Sequence, residues 1–135
     1  NGLGNLVNRI TNMIEQYLDG EIDKSILKEK TIGDEEIKQL RFKEALNSIW
    51  LIIKNTNGII ERDKPWEKAR TEEAKMPEAK EVLKIELEAL AAHLYTIALS
   101  LKPFMPNKSQ EIIDILEAPK IKKPEEPLFP RLNNQ

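Results

Sequence analysis

The chain has 135 residues and a mass of about 15.6 kDa, one domain of ordinary size that can bury about two-thirds of its surface without covalent staples. It has no cysteine and a single histidine, His93, which excludes a disulfide framework, a thiol nucleophile and a metal centre built on Cys or several His. Charged residues make up 33% of the chain and the net charge is −2; a general nucleic-acid-coating surface is not expected, while a local patch for one short single strand stays open.

The opening NGLGNLVNRI is already in polar–apolar periodicity and lacks the form of a secretory signal; the missing initiator Met suggests a piece of a longer protein. From about Leu3 to Leu18, Leu3, Leu6, Val7, Ile10, Met13, Ile14, Tyr17 and Leu18 share one face of a helix, and Gly20 stands at a plausible C-cap. Residues 20–33 read as a charged connection with a short helical turn near Ile26-Leu27. A second helix is expected from Asp34, as N-cap, through Ile37, Leu40, Leu46, Ile49, Trp50 and Ile53. It stops at Asn57-Gly58 or runs on to about Arg62, because one glycine costs only about 1 kcal/mol inside a helix. Pro65 ends it.

Pro77 suits the first position of a third helix. Leu83, Leu87, Leu90, Leu94, Ile97 and Leu101 then recur at alternating spacings of four and three, the seam of a left-handed bundle. Ala89 to Leu101 carries no Asp, Glu, Lys or Arg, so this half is expected at the buried centre, with His93 as a buried or interfacial hydrogen-bonded histidine. Pro103 and Pro106 break it before a short helix from about Asn107 to Leu116. In the tail, Pro124, Pro127 and Pro130 lie three apart and favour extended, polyproline-like chain; Leu128 and Phe129 can anchor it to a surface. The expected fold is all-α: an antiparallel bundle of four to five helices over residues 1–118, followed by an extended Pro-rich tail over 119–135.

Two features can carry binding chemistry. On the first helix Asn5, Arg9, Asn12 and Gln16 fall within an arc of about 60°. Amides and a guanidinium can read base edges; the same stripe can equally be a solvated face or a bridge between helices. Trp66 follows Pro65 at a chain break, among Arg62, Lys64, Lys68 and Arg70. It can stack on a base or plug the end of the core. Trp50, mid-helix among isoleucines, is expected in the core. No G-x-x-x-x-G-K-[ST], G-x-G-x-x-G or H-E-x-x-H motif occurs, so a complete active site within the chain is not expected.

In their order and spacing the motifs resemble the C-terminal anticodon-binding domain of methionyl-tRNA synthetase, a class I aminoacyl-tRNA synthetase. Gly4-Asn5-Leu6-Val7-Asn8-Arg9 is similar to that family's first bundle helix. Ala45-Leu46-Asn47-Ser48-Ile49-Trp50, leading through Asn57 to Lys64-Pro65-Trp66, is similar to its long helix ending in Pro-Trp. Leu101-Lys102-Pro103-Phe104-Met105-Pro106-Asn107-Lys108-Ser109 resembles the break after its core helix, and Glu126-Pro127-Leu128-Phe129-Pro130-Arg131-Leu132 the segment closing its core enzyme.

The resemblance implies a division of labour. Elsewhere in such a protein a nucleotide-binding domain activates methionine with ATP and magnesium and transfers it to tRNA(Met). This chain would bind the CAU anticodon, with Asn5 and Arg9 contacting bases and Trp66 stacking on one, and would catalyse nothing and hold no cofactor itself. Its partners would be tRNA(Met) and the parent's own catalytic domain, in the cytoplasm, with neither membrane nor DNA. For the three residues to form one site, Trp66 must arrive beside the first helix; a second helix antiparallel to the first would deliver it. The competing class is a helical protein-interaction module in which Trp66 and Leu128-Phe129 anchor a partner.

Overall fold

The computed structural model describes residues 2–129; Pro130, Arg131 and Leu132, with which the proline spacing and the closing motif continue, lie outside them. In chain order the helices are α1 (Gly2–Tyr17), α2 (Asp34–Lys38), α3 (Phe42–Asp63), α4 (Pro65–Ala69), α5 (Pro77–Leu101) and α6 (Pro106–Glu117). Single 3-10 turns at Lys24–Ile26 and Glu72–Lys75 complete the set, and there is no strand among the described residues. The all-α expectation holds: α1, α3, α5 and α6 pack around one core.

That core is aliphatic. Leu3, Leu6, Val7, Ile10 and Ile14 of α1 meet Ile49, Ile53 and Ile60 of α3 and the seam of α5 from Leu87 to Leu101, with Ile112 and Leu116 of α6 closing one side. Each fully buried Leu or Ile contributes about 1.5 to 3 kcal/mol over its exposed state. The four-three spacing read in α5 is therefore the packing seam, with Leu83 at its half-buried edge.

The stretch expected as one second helix is two. α2 stops at Lys38, and Leu40 takes a left-handed conformation with φ 60°. The Leu40 N–H donates to the Ile37 carbonyl at 2.9 Å and the Arg41 N–H to the Glu36 carbonyl at 2.7 Å, the paired bonds of a Schellman cap. Glycine usually occupies this position; here it is an exposed leucine, so the usual signal is missing. The N-cap is Gly33, not Asp34. At φ 84° Gly33 lies so close to α3 that a Cβ would stand 3.1 Å from the Cβ of Ala45. α3 itself runs through Gly58, where an added Cβ would meet nothing within 4 Å, and ends at Asp63.

Two side-chain expectations are corrected. His93 is exposed, because α5 has neighbours on some sides only; Val82, Ile85, Ala89 and His93 recur at three- and four-residue spacing on its open stripe. A run without charge marks a buried face here, not a helix buried all round. Trp50 is half-buried, packed against the core without being enclosed by it.

The relation of α3 to α1 also differs from expectation. Gly2 lies against Ile53 and Asn57, and Arg9 against Glu61, so partners along α3 advance with position along α1. The two helices run in the same direction. The connection from Leu18 to Arg41 is long enough to return past α1, whose 16 residues span about 24 Å. α5 opposes both: its Leu83 and Lys84 border the cleft at Gln16 and Leu18, while Thr96 borders Ile52.

Candidate nucleic-acid interface

Pro65 builds the entry of Trp66. A proline disfavours right-handed helix at the residue before it, and Lys64 adopts a left-handed turn with φ 46° that caps α3 through its N–H to the Ile60 carbonyl at 2.9 Å. Pro65, itself buried, starts α4 at the position where its missing N–H costs nothing. The turn swings Trp66 back onto α1, half-buried against the core.

There it meets Arg9. The Arg9 guanidinium carbon lies 5.5 Å from the centroid of the Trp66 ring, within cation–π range. Arg9 Nη2 also donates to Glu61 Oε1. The ion pair and the ring together hold a guanidinium whose side chain keeps 21% exposure. A cleft of about 250 Å³ opens beside this pair, lined by Arg9, Asn12, Met13, Gln16, Tyr17, Trp66 and Arg70.

Of the three residues singled out in the sequence, the structure brings Arg9 and Trp66 into direct contact. Asn5 is exposed on the same face of α1, about 6 Å earlier along the axis, and is not among the residues lining the cleft. Because α3 runs with α1, Trp66 stands beside the middle and second half of α1, where Asn12 and Gln16 of the amide stripe join it. Trp66 does not plug the core: it is half-buried, packed against the core, with Arg9 over its ring.

Tyr17 and Glu61 join this site beyond the residues singled out in the sequence, and of the cations around Trp66 it is Arg70 that lines the cleft. Arg70 stands four residues after Trp66, a spacing that brings residues to one helix face. Tyr17 belongs to the apolar face of α1 by periodicity and forms its edge. Glu61 is 52 residues from Arg9 and carries no local signal. The cleft offers amide donors and acceptors, two guanidinium groups and two aromatic rings, a set suited to stacking and hydrogen bonding with a planar polar ligand. Among the described residues no group of three or more His, Cys, Asp or Glu is placed to hold a metal ion, and no helix is long and apolar enough to cross a membrane.

No known protein-family profile matches the chain. Individual relatives do. The methionine–tRNA ligase of Clostridium acetobutylicum is 36% identical over 125 residues, covering 83% of this chain and 19% of that protein. That of Listeria innocua is 31% identical over 167 aligned residues, covering 98% and 24%, and that of Fusobacterium nucleatum 34% identical over 127, covering 83% and 19%. The chain thus spans about a fifth of the length of the curated relatives it matches. It is a homologue of one region of methionine–tRNA ligases.

Proposed function

We propose that this chain is the anticodon-binding domain of a methionine–tRNA ligase and holds the CAU anticodon of tRNA(Met) while the rest of the parent attaches methionine using ATP. The observation that carries the reading is the stacking of Arg9 on Trp66 at the edge of one cleft, beside the amides of α1. An anticodon loop is single-stranded, so its bases can be splayed, stacked and read at their edges. That needs one aromatic platform and a few fixed polar groups, and a net charge of −2 is no obstacle.

In this reading Trp66 is the platform, Arg9 reads a base edge and Asn5 contacts the neighbouring base from one turn earlier on α1. In the same reading residues 1–118 belong to the binding bundle and 119–135 to the Pro-rich tail of the core enzyme. Methionine activation, with its ATP and magnesium, belongs to the part of the parent that this chain does not span, so the fragment alone is inactive. The setting is cytoplasmic, and the partners are tRNA(Met) and the parent's catalytic domain. A protein-interaction module is the weaker reading, since Trp66, Leu128 and Phe129, the anchors it requires, all pack against the bundle's own core.

The test is Trp66→Ala in the full-length parent. Stacking on an aromatic is worth about 1–3 kcal/mol per base, so tRNA charging should fall about 5- to 150-fold. Methionine-dependent pyrophosphate exchange should be spared. A variant that melts at lower temperature but charges tRNA with unaltered kinetics would make Trp66 a core residue and overturn the assignment.

A further inference from the structure

The cleft at Arg9 and Trp66 does not end at Gln16 and Tyr17. These two residues are also a wall of a second depression, of about 510 Å³ against about 250 Å³ for the first, which runs on to Ala69, Leu83, Lys80 and Lys84. The half-buried Tyr17 ring therefore stands at the junction of the two.

The charges along this path are uneven. Arg70 lines the first cleft, Lys80 and Lys84 the second, and Glu81 is the one carboxylate in either lining. Among the described residues neither Arg70 nor Lys80 forms an ion pair, although Lys68, Lys75, Lys108 and Lys120 all do. Lys84 is attracted through space by Asp23 without touching it. With Arg70, Lys80 and Lys84 against Glu81 in the two linings and Asp23 at a distance, this path keeps an excess of positive charge beside an aromatic ring in a protein of net charge −2.

We propose that the second depression is a further RNA subsite, which takes the nucleotide next along the strand from the one held at Trp66. Its base lies against Tyr17 and its phosphate between Lys80 and Lys84. The inference rests on reading the first cleft as the anticodon site and extends it along the strand. Base-edge contacts at Arg9 supply discrimination, whereas phosphate contacts supply salt-dependent affinity and register but no sequence information. Gln16 and Tyr17 line both depressions, so the two are adjacent and successive nucleotides of one strand can occupy them.

The experiment is binding of an RNA stem–loop carrying CAU, and of the same stem–loop with an altered anticodon, to the full-length parent across a salt series. In the Lys80→Ala, Lys84→Ala double variant the slope of log affinity against log salt should become shallower by about 0.7, the value for one phosphate of a single strand. The affinity gap to wild type should then narrow about 2.6-fold between about 50 and 200 mM salt. The preference for CAU should stay as in wild type. A double variant with the wild-type slope overturns this subsite while leaving the first one standing. So does an equal change of slope in a Lys43→Ala, Lys54→Ala variant, whose exposed lysines on α3 line neither depression. A wild-type protein that does not distinguish the two stem–loops overturns the anticodon reading, and this inference with it.

Discussion

The end of α1 and the middle of its polar face are held in contrasting ways. At the end, the tail is clasped to the helix by backbone. The Ile121 N–H donates to the Gly20 carbonyl at 2.7 Å, Ile121 is fully buried, and a Cβ on Gly20 would stand 2.9 Å from the Ile121 carbonyl oxygen. Lys120 adds ion pairs to Asp19 and Glu21, and the Lys123 N–H donates to Glu15. At the middle, Arg9 is held by side chains alone, one carboxylate and one indole ring. Backbone joined to backbone in a buried place has one arrangement. A guanidinium on an indole can exchange its carboxylate for a base without disturbing the helices. The contrast separates the part of α1 that sets stability from the part suited to binding.

Gly20 offers the largest test of that separation. Gly20→Val puts a β-branched side chain at φ 75° and against the Ile121 backbone, and should cost about 3 kcal/mol of stability. Urea denaturation measures it. Stem–loop affinity per folded molecule should stay unchanged; a loss of affinity equal to the loss of stability would erase the distinction between the two regions.

Tyr95→Phe is a smaller change on the clasp side. The buried Tyr95 hydroxyl donates to Glu117 at 2.7 Å, at the end of α6 just before the tail. Its loss should cost about 1.5 kcal/mol at neutral pH, as for hydrogen bonds to charged groups. The bond to Glu117, followed by burial, pushes the hydroxyl pKa up from 10.0 to about 12. The folded state thus holds this proton more tightly than the unfolded chain does. The contribution is fully present below about pH 10 and is lost as pH rises toward 12. The stability difference between wild type and Tyr95→Phe should shrink over that window; a difference independent of pH would mean the hydroxyl does not titrate against Glu117.

Lys120→Ala should have the smallest effect. Its ion pairs are exposed, so the change in denaturation midpoint should be slight and should vanish at molar salt. A loss as large as that of Gly20→Val would place the strength of the clasp in its charges instead of its backbone.

Much of this architecture is legible in the sequence, because it depends on neighbours in the chain. The seam from Leu87 to Leu101, the stop before Pro65, the start at Pro77, the break at Pro103 and Pro106 and the left-handed Gly20 all follow from periodicity or from what one residue type permits. The break at Leu40 is local too, but a leucine occupies the capping position where glycine would have announced it. At the candidate site, Arg9 and Trp66 were readable as polar and aromatic residues at a helix face and a chain break, and Arg70 by its spacing from Trp66.

Direction and pairing were settled in three dimensions. Nothing local states that α3 runs with α1, since the connection between them is long enough for either sense. That choice brings Trp66 to Arg9, Asn12 and Gln16, and aligns Glu61 with Arg9 across 52 residues of chain. The exposure of His93 was decided in the same way, because an uncharged stretch of α5 is covered only on the faces where α1, α3 and α6 lie. Periodicity determines that a helix has an apolar face; which residues of another helix meet it depends on the packing of the whole core.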